Sequence, residues 1–518
     1  MKEGAAAQRA RALMVLGTAS HVGKSLTVAA LCRILRQDGF DVAPFKAQNM
    51  SLNSFATAAG GEIGRAQAVQ AQAAGVTPHV DMNPLLLKPT SDTSSQVVLL
   101  GKVLGTLSGA EIYARKPVLA AAIHAAYARL AARHEAIILE GAGSPVEMNL
   151  KALDMVNLSM AEVAEARCIL VADIDRGGVF ASILGTYGLL EPAERLRFAG
   201  FLVNKFRGDP GLFTAGVRWL EERAGQPCLG VIPYLHGHGI DEEDGVAAAE
   251  LPRAFAGGAA AARLRIGVIP FPYLSNYTDF TPLRARPDVD LIYLAKAADA
   301  ADAHVLVLPG SKSTASDLEW LRRAGFEEAI REHVAAGRPL IGICGGFQML
   351  GRTIADPFGV ESAAAVSRGL GLLDAETVMA PVKVTRQARA RFHAGILALF
   401  PDGEPDGSAE VAGYEIHIGD TRLGPGARPF LRLWRDGESE ARDDGAASPC
   451  GRILGTYLHG LFDAPAAATQ LLDHLRALLR LPPAAQAAAV EDPLDRLADH
   501  FRRHLDVSAI HNLLGRRS

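Results

Sequence analysis

GTASHVGKS, residues 17–25, follows the apolar run ALMVL and precedes LTVAALCRIL, whose apolar residues recur at helical spacing; this junction decides the fold class. A glycine loop between a strand and a helix lets backbone N–H groups and the helix N-terminus surround phosphate oxygens. Lys24 adds a point charge there, and Ser25 adds a hydroxyl for Mg2+. ATP is therefore the expected ligand, with Thr18, Gly23, Lys24 and Ser25 as nucleotide-binding candidates. The spacing departs from the usual P-loop: five residues separate Gly17 from Gly23, and Thr18 stands where the first glycine normally stands.

Outward from this loop, apolar runs rich in Val, Ile and Leu alternate with Ala-rich helical stretches as far as residue 235: DVAPFK, AIILEGAG, CILVADI, AGFLVNKF and LGVIP. Continuous apolar strands separated by helices predict an α/β fold, a parallel sheet with helices on both faces. Such a sheet builds its ligand site at the carboxyl ends of its strands. Lys46 ends the second strand, Glu140 closes AIILE, Asp173 and Asp175 follow CILVA, and Asn204 and Lys205 lie in LVNKF. Lys46 and Asn204 are thus further nucleotide candidates, and Ser25, Glu140 and Asp173 are candidates for holding Mg2+.

The alternation breaks between Asp241 and Arg263, where the text turns acidic and then Ala/Gly/Pro-rich, as an exposed connection does. A second α/β alternation starts at RIGVIPFP and continues through DLIYL, HVLVLPG and PLIGICGG. The expected organisation is a nucleotide domain over 1–240, a linker over 241–263, a second α/β domain over 264–480 and a helical tail over 481–518. In that tail Asp492 is the expected N-cap and Pro493 the first helical residue, with Leu494, Leu497, Phe501 and Leu505 on one face.

GICGGFQML, residues 342–350, carries the second candidate site. A cysteine just after an apolar strand and just before a helix is exposed on an elbow, and the helix N-terminus favours its anionic form. Cys344 is the candidate nucleophile, and the N–H of Gly345 can stabilise a tetrahedral oxyanion. Gly310 and Ser311 in PGSKS are expected to supply a second donor, and Gln348, one helical turn beyond the sulfur, to help hold the substrate. A nucleophilic thiol needs a base. His459 in GTYLHGLF is preferred over His417 in YEIHIG, because glycines flank its strand end.

Composition narrows the alternatives. Of 518 residues, 53 are Lys or Arg and 57 are Asp or Glu, so the formal charge of −4 leaves neither a nucleic-acid footprint nor a polybasic membrane patch. Five scattered cysteines without a CxxC pair point away from zinc and toward a reducing, cytoplasmic setting. No run approaches the roughly 20 apolar residues that a membrane span requires.

GTASHVGKS resembles the dethiobiotin synthetase and MinD-like branch of P-loop proteins, and GICGGFQML with PGSKST and YLHGLF resembles a class I glutamine amidotransferase domain. Together with PFKAQNMSLNS, LLKPTSDTSSQVVLLGK, EGAGSPVEMNL, DIDRGGVFAS, NKFRGD and DRLADHFRRHLD, they are similar to the cobyric acid synthase family over residues 12–506. The resemblance implies ATP- and L-glutamine-dependent amidation of carboxylates b, d, e and g of a corrinoid, adenosylcobyrinic acid a,c-diamide, in cobalamin biosynthesis. Rival readings are a related amidotransferase such as cobyrinic acid a,c-diamide synthase, or a ParA/MinD-like regulatory ATPase. The segment Met50 to Lys102 is the expected corrinoid contact. One departure matters: triad amidotransferases commonly carry His-x-Glu, but Leu461 stands two residues after His459. Either Glu415 replaces the missing carboxylate or the site works as a Cys–His dyad.

Overall fold

The computed structural model describes residues 10–91, 93–240, 255, 263–361, 364–393, 395–396, 409–483 and 492–515, which form two compact units. The first comprises Met1–Ser51, Glu62–Asp244 and Glu491–Ser518; the second comprises Leu52–Gly61 and Gly245–Val490. The division is not the sequential cut expected from composition. A ten-residue excursion from the N-terminal half joins the second unit, and the C-terminal tail returns to the first. The proposed linker lies almost wholly outside the described residues.

In the first unit six parallel strands are ordered Cys228–Pro233, Phe198–Phe206, Arg167–Asp173, Arg11–Gly17, Ala136–Glu140, Val42–Phe45. Because side chains alternate across a strand, Leu13 and Val15 enter one core while Met14 and Leu16 enter another. Helix Lys24–Gln37 covers the first core with Val28, Leu31, Ile34 and Leu35, and helix Lys116–Ala131 covers the second with Leu119, Ile123 and Leu130. The sheet is thus dressed on both faces, as continuous apolar strands require.

The tail helix Pro493–Arg502 adds Leu497 and Phe501 to the core beneath Lys24–Gln37, and Asp492 caps it by accepting from the Leu494 N–H at 2.9 Å. Arg33 pairs with Asp492 and Asp495, both at 2.7 Å.

In the second unit a parallel sheet runs Val289–Tyr293, Leu264–Val268, Val305–Leu308, Leu340–Ile343, Ile453–Thr456, with Ala446–Ala447 antiparallel at its edge. A second, antiparallel sheet holds Val411–His417 between Val384–Phe392 and Leu458–His459. The stretch ILGTYLHGLF changes sheets at Tyr457, and this bend brings His459 to Cys344. No helix among the described residues is long and apolar enough to cross a membrane.

Candidate active sites

At the phosphate loop, strand Arg11–Gly17 hands over to helix Lys24–Gln37 through Gly23, which adopts φ 98°. Lys24 folds back over the loop, donating to the carbonyls of Ala19 (2.8 Å) and Gly143 (3.1 Å). The loop is also held from outside: Asn204 Nδ2 donates to Val22 O at 2.9 Å, Lys205 Nζ to His21 O at 2.7 Å, and Thr18 N–H to Val171 O at 3.0 Å. Asn204 and Lys205 lie at the carboxyl end of strand Phe198–Phe206, one strand beyond Arg167–Asp173, which neighbours the loop-bearing strand Arg11–Gly17.

Glu140 is the hub of this site. Its Oε1 accepts from Ser25 Oγ and Lys46 Nζ, both at 2.8 Å, and its Oε2 accepts from Gln70 Nε2 at 2.5 Å. Three of the expected residues therefore meet on one buried carboxylate. Gln70 carries no sequence motif, although it lies on the buried face of helix Arg65–Ala74. Its carbonyl oxygen is buried without a hydrogen-bond partner among the described residues. The Ser25 hydroxyl and the Glu140 carboxylate, in contact with each other, are oxygen donors of the kind Mg2+ takes, usually completed by water and phosphate. Asp173 is turned elsewhere, 3.2 Å from Lys205 Nζ and accepting from the Asp175 N–H at 2.7 Å.

At the cysteine elbow the chain is forced into a tight turn by close backbone approaches. Any Cβ on Gly346 would stand 2.0 Å from Leu308 O, and one on Gly345 would stand 2.9 Å from Ser311 Cβ. Cys344 itself adopts φ 53°, ψ −110°, with its N–H donating to Thr456 O at 2.8 Å. Its residue exposure is 7%, and its Sγ lies 3.5 Å from Ile416 O. The His459 imidazole hydrogen-bonds with Cys344. Gly345 opens a helix whose first N–H groups have no intrahelical acceptors, and Ser311 N lies 3.0 Å from where its Cβ would be.

The orienting carboxylate is Asp279, which the sequence reading missed. Its Oδ2 is 2.7 Å from His459 Nδ1, and its Oδ1 accepts from the Gly460 N–H at 3.1 Å. Burial pulls the His459 pKa down, but Asp279 and the Cys344 sulfur outweigh it and raise the value to about 10. Glu415 does not fill the role: it is clamped by Arg435 at 2.5 and 2.9 Å and meets His417 at 3.2 Å. Burial alone would raise its pKa, yet His417 and Arg435 hold it down to about 2. His417 has both ring nitrogens engaged, on Glu415 and Gly419 O, and its ring stacks 3.9 Å from that of Tyr457.

Gln348 is buried with its amide between Thr314 Oγ1 (3.1 Å), Ile418 O (2.8 Å) and Tyr457 OH (3.2 Å). Ser311 Oγ donates to Asp317 at 2.5 Å, and Gly310 lies against His459, with 3.3 Å between its would-be Cβ and Cε1. Burial, only partly offset by the hydrogen bonds from Ser311 and Tyr273, pushes Asp317 up to about 7.

A cobyric acid synthase from Syntrophobacter fumaroxidans (strain DSM 10017 / MPOB) is 48% identical over 514 residues, covering 98% of this chain and 99% of its own. The chain belongs to the cobyric acid synthase family. Residues 13–245 match the CobQ/CobB/MinD/ParA nucleotide binding domain, and residues 265–467 match the CobB/CobQ-like glutamine amidotransferase domain. Two solved structures also overlap this cobyric acid synthase-type chain. One is a glutamine amidotransferase, 18% identical, covering 41% of this chain and 97% of that one at TM-score 0.28. The other is PurLQS from Thermotoga maritima, 17% identical, covering 41% and 99% at TM-score 0.30.

Proposed function

We propose that the chain amidates carboxylates b, d, e and g of adenosylcobyrinic acid a,c-diamide, using ATP and L-glutamine, to give adenosylcobyric acid. The observation that carries this reading is the presence, in one polypeptide of this family, of a phosphate loop closed on Glu140 and a Cys–His pair backed by a carboxylate.

A carboxylate resists attack by ammonia until one oxygen becomes a good leaving group. In the first unit the substrate carboxylate takes the γ-phosphoryl group of ATP, giving an acyl phosphate and ADP. Lys24 and the loop N–H groups hold the phosphates, and Lys46 offsets charge developing in transfer. Ser25 and Glu140 would hold Mg2+, which supplies charge neutralisation on the phosphates. In the second unit the Cys344 sulfur attacks the amide carbon of glutamine, with the Gly345 and Ser311 N–H groups supporting the oxyanion. His459 gives its proton to the departing ammonia, then takes one from the water that hydrolyses the glutamyl thioester to glutamate. Ammonia displaces phosphate from the acyl phosphate to form the amide. The five cysteines, none of them in a disulfide, suit a reducing cytoplasm.

Mass analysis of products from purified protein, ATP, glutamine and a panel of cobyrinic acids tests the substrate assignment. Four successive acid-to-amide conversions of the a,c-diamide are expected. Conversion at the a and c positions instead would replace this reading with that of an a,c-diamide synthase.

A further inference from the structure

The excursion Leu52–Gly61 lies in sequence between two stretches of the first unit, yet it folds with the second. Its strand Ser54–Ala56 rests on the antiparallel sheet that carries His459: the Phe55 ring lies 5.2 Å from that of Tyr414, and Gln387 Nε2 donates to Ala56 O. Two residues of the excursion grip the turn that precedes Asp279. Asn53 Oδ1 accepts from the Tyr277 N–H at 3.2 Å, and the Ser54 N–H donates to Asn276 Oδ1 at 3.1 Å. Tyr277 opens the short 3-10 turn Tyr277–Phe280, so its N–H has no acceptor within that turn and Asn53 satisfies it. Asn276 sits at φ 52°, which asparagine tolerates better than most residues, and its Nδ2 lies 3.4 Å from Tyr414 OH. The Tyr414 ring in turn stacks on the His459 imidazole, 5.3 Å between centroids with planes 19° apart. Asn53, Ser54 and Asn276 are all buried, which is costly for polar groups that serve no partner.

We propose that Asn53 and Ser54 are positioning residues of the glutaminase centre, holding the Asn276–Asp279 turn so that the Asp279 carboxylate meets His459 Nδ1. They touch neither the sulfur nor the imidazole. The inference rests on the glutaminase reading of Cys344, His459 and Asp279, and it assigns to Asn53 and Ser54 a role separate from corrinoid contact. A shift of the turn by about 1 Å would carry the carboxylate out of its short, charge-assisted bond, and misplacements of that size cost on the order of 100-fold in rate.

The test is glutamine hydrolysis by full-length Asn53→Ala and Asn53→Asp. Aspartate keeps an acceptor for the Tyr277 N–H; alanine removes it. We expect Asn53→Ala to lower kcat by roughly 10- to 100-fold with KM for glutamine changed by less than about twofold, and Asn53→Asp to recover most of the rate. The pH profile of kcat and the low-field proton resonance of His459 Nδ1–H should shift in the alanine variant. In an Asp279→Asn background Asn53→Ala should cost little more, because both act through one contact. If Asn53→Ala does not fold, Asn53→Ser, whose shorter side chain withdraws the acceptor, carries the same expectation.

Unchanged kcat, pH profile and resonance in the alanine variant would overturn the inference, as would equal losses in alanine and aspartate variants. So would an equal fall of ammonium-driven and glutamine-driven amidation, which would place Asn53 on the corrinoid side. Failure of the glutaminase reading itself shows differently, as glutamine hydrolysis that survives Cys344→Ala.

Discussion

The phosphate loop and the cysteine elbow are both strand-to-helix junctions, and they load their conformational cost on different residues. At the first the positive-φ positions are His21 (φ 60°) and Gly23 (φ 98°), so the cost falls outside the reactive pair, and Lys24 and Ser25 lie inside a regular 14-residue helix. At the second the positive-φ residue is the nucleophile itself, and Cys344 begins a helix of only six residues. A non-glycine residue held there stores about 1–3 kcal/mol, which the surroundings must over-determine. They do so through Gly345 and Gly346, whose missing side chains admit Ser311 and Leu308 O. Binding a polyanion asks for a cradle of donors; presenting one sulfur atom asks for one fixed direction.

The largest effects should separate the two regions cleanly. Cys344→Ala should abolish glutamine-driven amidation, by at least about 1,000-fold, and leave ammonium-driven amidation near its original rate. Lys24→Ala should stop both while some glutaminase activity survives, as scored by glutamate release. A Cys344→Ala protein that lost both activities together would break the division. Asp279→Asn should fall between these, cutting glutamine hydrolysis by roughly 100-fold or more because the imidazole loses its orienting anion.

The glycines give the next contrast. Gly346→Ala would press a methyl group onto Leu308 O, a backbone atom in a central strand that cannot move aside, so a loss of about 3 kcal/mol or more is expected in the unfolding of the second unit. Gly23→Ala meets only the Asn204 amide, 2.2 Å from the added Cβ, and a side chain can rotate away. Strain at φ 98° plus one lost hydrogen bond predicts about 1–3 kcal/mol. Equal costs at the two glycines would mean that the elbow is no tighter than the loop.

Titration distinguishes the regions as well. The His459 pKa is raised to about 10, above the unfolded value near 6.5, so its contribution to stability is complete below about pH 6.5 and is lost as pH rises through 10. Denaturant unfolding of the second unit should therefore weaken by a few kcal/mol between pH 7 and pH 10, and Asp279→Asn should flatten that slope. A slope unchanged by Asp279→Asn would detach the titration from this pair.

What could be read without coordinates follows from how contact is encoded. Gly23, Lys24, Ser25 and Cys344 are legible because a phosphate loop and a nucleophile elbow are local objects, completed within nine residues of chain. Glu140 is legible because strand ends in a parallel sheet converge whatever their separation, and His459 because it follows shortly after such a strand, Ile453–Thr456, although it sits in the antiparallel sheet. Asp279, Gln70 and Asn53 are not, since each reaches its partner through a turn, a helix face or an excursion that leaves no periodicity. Glu415, one of the two options for the missing carboxylate, is lost for the same reason: Arg435, on strand Leu431–Arg435 beyond the intervening strand Val384–Phe392, captures it.

The smallest effect concerns how each reactive helix is braced. The six-residue helix behind Cys344 is packed within its own unit by Phe347, Met349 and Leu350, whereas helix Lys24–Gln37 borrows the far end of the chain, with Leu497 and Phe501 beneath it and Arg33 reaching Asp492 and Asp495. If the apolar contact is what docks the tail, the ion pairs should matter little. Asp495 has 41% of its side chain exposed, and charges so wetted are screened. Asp495→Asn should therefore lower the stability of the first unit by less than about 1 kcal/mol, with the difference vanishing in high salt. Leu497→Ala removes a fully packed side chain and should cost several times more. A larger loss for the aspartate than for the leucine, read from denaturant midpoints of the first unit, would mean that charge and not burial holds the phosphate-loop helix in place.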